Sequence, residues 1–493
     1  MKKKKDKVQI IKNNFKNFFK NKYNIILIIT ILINLFIITY YSKTLDDRLS
    51  GDELLYINKM FLICDDSKEI FSKAAFFAHP PLIPALTAIL NIILPPFISI
   101  RVIGIVFGIL GIIVIYLLGK KLKNPFVGIF SAIILSSIAF YWSYSYAFLL
   151  DIPLTFFFLL TAFFLLKAKK YILPLIFSVI LALLTKRTSI VIILFILLYL
   201  FHERYKNIKI MRIVAAMLFL LILSFILSLF YFRSLLKLDY FIILFFTLSL
   251  FTLLFYKFNK SYFLIFSWLF SVISLRIIFS DIFIPRYFLP ILPAVILLFG
   301  IEVDRLYSYF KIKINKNYLI LFIFLFVIIL FLTTSKINSA YFNYEYRGNK
   351  DFAKWVENSN VEGTIYSWIL NQNILRLYNV DSKNITFKKF AIKNQTRFIN
   401  KINDEKNDTF FALEIYSLNP ISFFLPLSLD KSKFLKSLNL YPIYTIYENV
   451  SISFFNTHFN KDSESFFKDL NITLYKRYKN KIEIPAIVIF KKK

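Results

Sequence analysis

Eleven apolar runs of 14 to 23 residues set the pattern of the chain: 23–41, 98–118, 125–141, 147–166, 171–185, 188–201, 210–232, 239–256, 261–279, 287–301 and 318–335. A helix needs ~20 residues to cross a ~30 Å hydrocarbon core, so these runs predict about eleven membrane spans. One further run, 81–94, has 14 residues and is closed by Pro95-Pro96. It is too short for a span, and its length suits a helix lying at the membrane surface or re-entering it. Beyond Ser335 no apolar run is long enough to span. Short β-type runs at Gly363, Thr409 and Ala486 alternate there with helical patterns at 350–358 and 396–403. The organisation expected is a basic N-terminus at 1–22, a transmembrane domain over 23–335 whose segment 42–97 is one long outer loop with surface helices, and an outer α/β domain over 336–493.

Charge sets the orientation. The first 22 residues carry nine lysines, and no small-residue cleavage site follows the first apolar run. An uncleaved first helix with its lysines in the cytoplasm is therefore expected. If 81–94 is not a span, six cytoplasmic segments hold 24 Lys and Arg. The short outer loops after residue 97 then hold only Lys186, Arg187, Arg233, Lys237 and Arg286. Counting 81–94 as a span would move Lys120-Lys121 and Lys167 to the outside, against the positive-inside bias. A multi-pass protein of the cell membrane is expected, with the N-terminus inside and residues 336–493 outside.

Composition narrows the classes. Hydrophobic residues make up 58% of the 493, and Lys and Arg outnumber Asp and Glu by 61 to 29 for a net charge of +32. The basic charge lies in clusters between apolar runs, which is a membrane signal and points to no nucleic-acid partner. A single cysteine, Cys64, excludes an internal disulfide framework and a cysteine-cluster metal site. No glycine-rich nucleotide loop occurs among nine glycines. Gly104, Gly108 and Gly111 fall inside an apolar run, where they read as close helix-packing positions.

In so apolar a chain the ionisable groups near the membrane carry the information. The loop 42–97 holds seven acids against five Lys and Arg, and within it run Asp52-Glu53 and then His79-Pro80-Pro81-Leu82. Asp52 reads either as a helix N-cap or as a chemical group. Asp151, in Asp151-Ile-Pro153, lies at the outer end of a run and has the same two readings, with Pro153 in the first turn. Lys186-Arg187 splits the apolar stretch 171–201 into halves of only ~22 Å, which puts the pair below the outer surface. Two adjacent cations there suit a phosphate anion or snorkel to headgroups. Arg286-Tyr287, in Pro285-Arg286-Tyr287-Phe-Leu-Pro290, opens a run on the same side, either as an interfacial anchor or as part of the same site. All of these features face one side, which suits a base beside a phosphate clamp.

Taken in order, Asp52-Glu53, His79-Pro80-Pro81-Leu82, Asp151-Ile-Pro153, Thr185-Lys186 and Pro285-Arg286-Tyr287 resemble the membrane glycosyltransferases of the GT-C fold. The likeness is greatest to the protein O-mannosyltransferase and lipid A aminoarabinose-transferase group, and it covers roughly residues 23–310. The resemblance implies inverting transfer of a sugar from a polyprenyl-phosphate carrier to an acceptor hydroxyl on the outer face. It implies Asp52 as base with Glu53 beside it, Asp151 as a second acid, and Lys186 and Arg286 near the carrier phosphate. His79, Arg187 and Tyr287 are further binding candidates. The expected partners are a lipid-linked sugar donor, a lipid, glycan or protein acceptor, and membrane lipids. Ala78-His79 stands where the aminoarabinose transferases carry Glu-Lys, and Ala78 cannot ligate a metal. No cofactor is required, a divalent metal is unsupported, and no metal ligands are assigned. The Trp-Trp-Asp-type motif of oligosaccharyltransferases is absent. The rival reading is a transporter or flippase of lipid-linked sugars, which calls for midplane polar residues and repeated halves that the sequence does not show.

Overall fold

The computed structural model describes residues 22–45, 51–68, 80–204, 260–279, 285–309, 349–359, 362–367, 372–378, 380, 384–389, 409–414, 440–450, 476–478 and 481–492. They divide into two compact units. One comprises Met1–Tyr40, Ser67–Thr87 and Arg101–Ser335, and the other Tyr41–Asp66, Ala88–Ile100 and Lys336–Lys493.

Helices supply the first part of the chain in this order: α1 Lys22–Leu45, α2 Gly51–Asp65, α3 Leu82–Leu90, α4 Pro96–Leu122, α5 Pro125–Ser137, α6 Ala139–Tyr146, α7 Asp151–Leu165, α8 Ile172–Leu183, α9 Val191–Arg204, α10 Lys260–Phe279 and α11 Leu292–Tyr309. Among the described residues α4 alone is, by length and composition, long and apolar enough to cross a membrane unaided. Shorter apolar helical stretches run over Lys22–Phe36, Pro125–Ser137, Asp151–Leu165, Ile172–Leu183, Arg187–Phe201 and Ser261–Ser274. The runs 210–232, 239–256 and 318–335 lie outside the described residues.

Several runs that hydropathy reads as single spans are broken. Ile138, extended at φ −73° and ψ 109°, separates α5 from α6 inside the run 125–141. The run 147–166 becomes helical only at Asp151, and the run 287–301 opens on a 3-10 turn, Pro285–Phe288, before α11. Ile138 and Leu149 are as apolar as their neighbours, so hydropathy has no means of detecting these breaks. Segment 81–94 yields the nine-residue α3, about 13 Å long and well short of a span.

Local signals explain where helices start. Asn124 caps α5, its Oδ1 accepting from Val127 N at 3.0 Å, and Pro125 takes the first helical position. The Asn124 Nδ2 donates to Asp304 Oδ2 at 2.8 Å, which ties this end of α5 to α11. The glycine stripe of α4 packs against α6. A Cβ on Gly104 would stand 2.5 Å from the backbone oxygen of Ser145, and one on Gly108 2.5 Å from Ser145 Oγ. Tyr141 Oη donates to Gly108 O at 2.9 Å across the same seam.

The second unit contains a six-stranded mixed sheet: β1 Gly363–Ser367, β2 Ile385–Lys389, β3 Thr409–Glu414, β4 Leu440–Val450, β5 Lys476–Tyr478 and β6 Lys481–Lys492. The order is β2-β1-β3-β6-β4, with β5 also on β6. β1 is parallel to both β2 and β3, whereas β6 runs antiparallel to β3, β4 and β5. Helix α12, Asn349–Ser359, precedes β1, and helix α13, Gln372–Leu377, lies in the β1–β2 crossover. Phe352 and Trp355 of α12 meet Phe387, Phe410 and Tyr444 of the sheet at ring separations of 6.4, 6.3 and 6.1 Å. β1, β3 and β6 cover the short β-type runs at Gly363, Thr409 and Ala486. The pattern at 396–403 lies outside the described residues.

The α4–α6 seam gives a direct test. Gly104→Ala gains ~1 kcal/mol of helix propensity but overpacks a backbone oxygen, a clash that costs about 1–3 kcal/mol. Thermal unfolding in detergent should show a lowered midpoint for Gly104→Ala. A comparable loss is expected for Gly108→Ala, because its Cβ would stand 2.8 Å from Ser145 Cβ as well as 2.5 Å from the hydroxyl.

Candidate functional site

Asp151 starts α7. The N-cap position is Leu150, which makes no side-chain cap bond, so the capping role considered for Asp151 is not the one it fills. Its carboxylate, 3% exposed, turns to two cations instead. Lys186 Nζ donates to Oδ1 at 2.5 Å, and Arg286 Nε lies 3.8 Å from Oδ2. Lys186 therefore has an acidic partner 35 residues away, although the sequence near it offers none. Tyr287 completes the group, its ring 4.4 Å from Lys186 Nζ and 5.7 Å from Arg286 Cζ.

Each member is delivered by a break in a helix. α8 stops at Leu183, and Lys186 takes an extended conformation at φ −153° and ψ 139° before the 3-10 turn Arg187–Ile190 and α9. The Leu184 carbonyl beside this break accepts from Leu82 N at 3.0 Å, so the start of α3 is tied to it. Arg286 sits in the 3-10 turn before α11, where Leu289 N donates to its carbonyl at 3.1 Å. Asp151, at the N-terminal end of its helix, also lies where the helix dipole favours a carboxylate. Trp268 of α10 anchors the Arg286 segment by donating from Nε1 to Pro290 O at 2.9 Å. Its indole packs on Phe158 of α7 and Phe195 of α9, at 6.0 Å in both cases.

One buried carboxylate here faces two cations. Lys186 and Arg286 are 13% and 15% exposed, so solvent screens the site weakly. A buried ion cluster of this kind gives a modest net gain while intact, but losing one partner is costly. The arrangement suits an anion that brings one or two negative charges.

The other candidates are placed differently. Arg187 is exposed and its guanidinium is not part of the Asp151 cluster. Glu53 belongs to the second unit and is fully buried on α2. On the same helix Lys59 is also buried, and burial holds its ammonium down at about 8. Asp52 occupies the second position of α2, but its side chain and the whole of His79 lie outside the described residues. Among the described residues no three His, Cys, Asp or Glu side chains converge as a metal site would require.

Two residues of the site were not singled out from the sequence, Trp268 and Arg101. Arg101 is 5% exposed, donates from Nη1 to Tyr146 O at 3.3 Å, and stacks 4.6 Å from the Tyr146 ring. It braces the end of α6, five residues before Asp151. A lone arginine inside the apolar run 98–118 was the available signal, by the same rule that exposed Asp151.

Comparison with known proteins agrees with the resemblance seen in the residues. The model of the family described as dolichyl-phosphate-mannose-protein mannosyltransferase matches residues 78–231, less than a third of the chain. That stretch contains His79, Asp151, Lys186 and Arg187, but not Asp52 or Arg286. No curated protein matches. Among solved structures, ArnT from Cupriavidus metallidurans in the apo state superposes with a TM-score of 0.57 at 14% identity, over 85% of this chain and 96% of ArnT. The same protein bound to undecaprenyl phosphate gives 0.54 at 13% identity, over 93% and 97%. The oligosaccharyltransferase of Archaeoglobus fulgidus in the apo form gives 0.50 at 11%, over 89% and 74%. The chain resembles the GT-C glycosyltransferases, and its fold is theirs.

The ion cluster predicts its own double-mutant behaviour. Asp151→Asn should destabilise the protein by about 3 kcal/mol, because it removes the carboxylate that holds the poorly exposed Lys186 ammonium. Asp151→Asn combined with Lys186→Met should recover much of that loss. A thermal or denaturant cycle on the four proteins measures the coupling.

Proposed function

We propose that the chain is an inverting glycosyltransferase of the membrane, which passes a sugar from a polyprenyl-phosphate carrier to an acceptor hydroxyl on the outer face. The observation that carries this reading is the Asp151–Lys186–Arg286 cluster, two cations gathered on one buried carboxylate. The family match through residues 78–231 supports it, as does a fold shared with ArnT, which has been solved with undecaprenyl phosphate bound.

The chemistry follows from charge. A sugar linked through phosphate to a polyprenol is a diester with one negative charge. When the anomeric C–O bond breaks, the electron pair leaves with the phosphate, which becomes a monoester and gains negative charge. Lys186 and Arg286 receive that growing charge in a poorly screened site, so they stabilise the transition state more than the bound donor. Asp151 offsets the charge of Lys186 and fixes where both cations point.

The acceptor hydroxyl needs a base, a role we give to Asp52, with Glu53 as its neighbour. Asp52 takes the hydroxyl proton as the acceptor oxygen bonds to the anomeric carbon. The phosphate leaves from the opposite face, so the configuration inverts. The transition state is oxocarbenium-like and gains from a nearby carboxylate. His79, Arg187 and Tyr287 are the further contacts to the donor. The steps use side chains of the protein and require no nucleotide. In this reading segments 42–97 and 336–493 face the outside and residues 119–124 the cytoplasm.

Two measurements test the reading. Purified Asp52→Asn should keep less than about a tenth of wild-type transfer from lipid-linked sugar, by the 10²–10⁴-fold worth of a general base. Lys186→Ala and Arg286→Ala should bind sugar-free polyprenyl phosphate roughly ten- to a hundredfold more weakly, as expected for a lost charge-assisted contact. Unchanged affinity in both variants would leave these cations as membrane anchors. For orientation, a single cysteine at position 122 in a Cys64→Ser background should resist labelling from outside the cell.

A further inference from the structure

We propose that Arg376, in the C-terminal part of the chain, is a positioning residue for the helix that carries Asp52 and Glu53. The inference rests on the function proposed above.

Helix α2 is poorly specified by its own hydrophobic pattern. Glu53 is fully buried and Lys59 nearly so, whereas Leu55 and Leu62 are about half exposed. Burial of apolar area has no direction, so a helix that is apolar around much of its circumference gains little from one rotation over another. A turn of one residue, about 100°, would carry both acids away from their positions. Directional contacts must fix that rotation.

They come from α13, 311 residues further along the chain. Arg376 grips Asp65 with both ends of its guanidinium, Nη1 to Oδ2 at 2.8 Å and Nη2 to Oδ1 at 2.9 Å. Its Cζ also lies 4.3 Å from the Phe61 ring. One turn earlier on α13, Asn373 Nδ2 donates to Asn58 Oδ1 at 3.0 Å. Tyr378 stacks on Phe97 at 5.9 Å. The guanidinium beside Asp65 holds that carboxyl below its usual range.

The contacts at 58, 61 and 65 form one stripe along α2, at the spacing of a single helix face. Position 52 falls roughly opposite that stripe at about 100° per residue. α13 thus holds α2 by one face, while Tyr56, Lys59 and Ile63 on the side of position 52 are buried. The anchor helix is itself held: Ile374, Leu375 and Leu377 of α13 are buried, while the Arg376 and Asp65 side chains at its edge are 37% and 58% exposed. Arginine suits the task because its planar fork matches a carboxylate in one orientation, which lysine cannot do.

The test uses full-length protein and four variants: Arg376→Ala, Arg376→Lys, Asp65→Asn, and Arg376→Ala with Asp65→Asn. Donors are a panel of polyprenyl-phosphate-linked hexoses, beginning with dolichyl-phosphate-mannose. The two disruptive single variants should lower kcat about three- to tenfold. Donor KM and affinity for undecaprenyl phosphate should stay within about twofold, since only the acceptor-activating helix is loosened. Arg376→Lys should not restore kcat, and the double variant should be no worse than the singles. Hydrogen exchange should rise across residues 51–65. Wild-type kcat in both single variants, or losses that multiply in the double, would overturn the proposal. So would a matching loss of undecaprenyl-phosphate affinity, which marks general destabilisation. If the wild type transfers none of the panel, or Asp52→Asn stays active, the functional reading fails on its own. Exchange over 51–65 then decides the clamp: unchanged exchange removes it.

Discussion

A carboxylate buried among apolar helices has to be paired, and the way Asp151 meets that requirement organises the helical unit. Its two cations come from separate parts of the chain, one at the α8–α9 break and one in the turn before α11. None of the three could be contributed from the middle of a regular helix without disturbing its neighbours. Each stands where a helix begins or stops, and the breaks at Lys186 and Arg286 are held by backbone or indole bonds: Leu82 to Leu184 at the first, Leu289 to Arg286 and Trp268 to Pro290 at the second. The aromatic stack of Phe158, Trp268 and Phe195 then fixes α7, α10 and α9 around the same point. Packing and electrostatics converge here, since moving any one helix would unpair a charge that water cannot easily reach.

Much of this was legible in the sequence. Charged residues interrupting apolar runs are few, so Asp151, Lys186 and Arg286 could be picked out by rarity, and Tyr287 by its place beside Arg286. That Lys186 pairs with Asp151 was not legible, because a contact across 35 residues depends on how α7 and α8 pack, and sequence spacing carries no trace of it. The glycine stripe of α4 announced close packing but not the identity of the partner helix, α6. Helix breaks within apolar runs were missed for a physical reason: hydropathy reports solvent preference, and backbone conformation at an isoleucine such as Ile138 is set by its neighbours in space. In the second unit short β-type runs were visible, whereas α13 and its clamp were not. A six-residue helix has too little periodicity to register, and the value of Arg376 lies wholly in a residue more than 300 positions away.

The place of β6 in the sheet has a consequence for how the molecule is made. β6 lies between β3 and β4 and also pairs β5, so three strands share its edges. Its partner β3 is emitted by the ribosome more than 60 residues earlier, and β4 about 30 residues earlier. Until residues 481–492 appear, β3 and β4 each present an open row of backbone donors and acceptors, and one of these strands carries Phe410 and Phe411. The sheet therefore closes late and all at once, by long-range pairing of the slow kind. During that interval the half-built sheet needs shelter from other strands, so synthesis of this protein is the stage at which it is most exposed to misassembly.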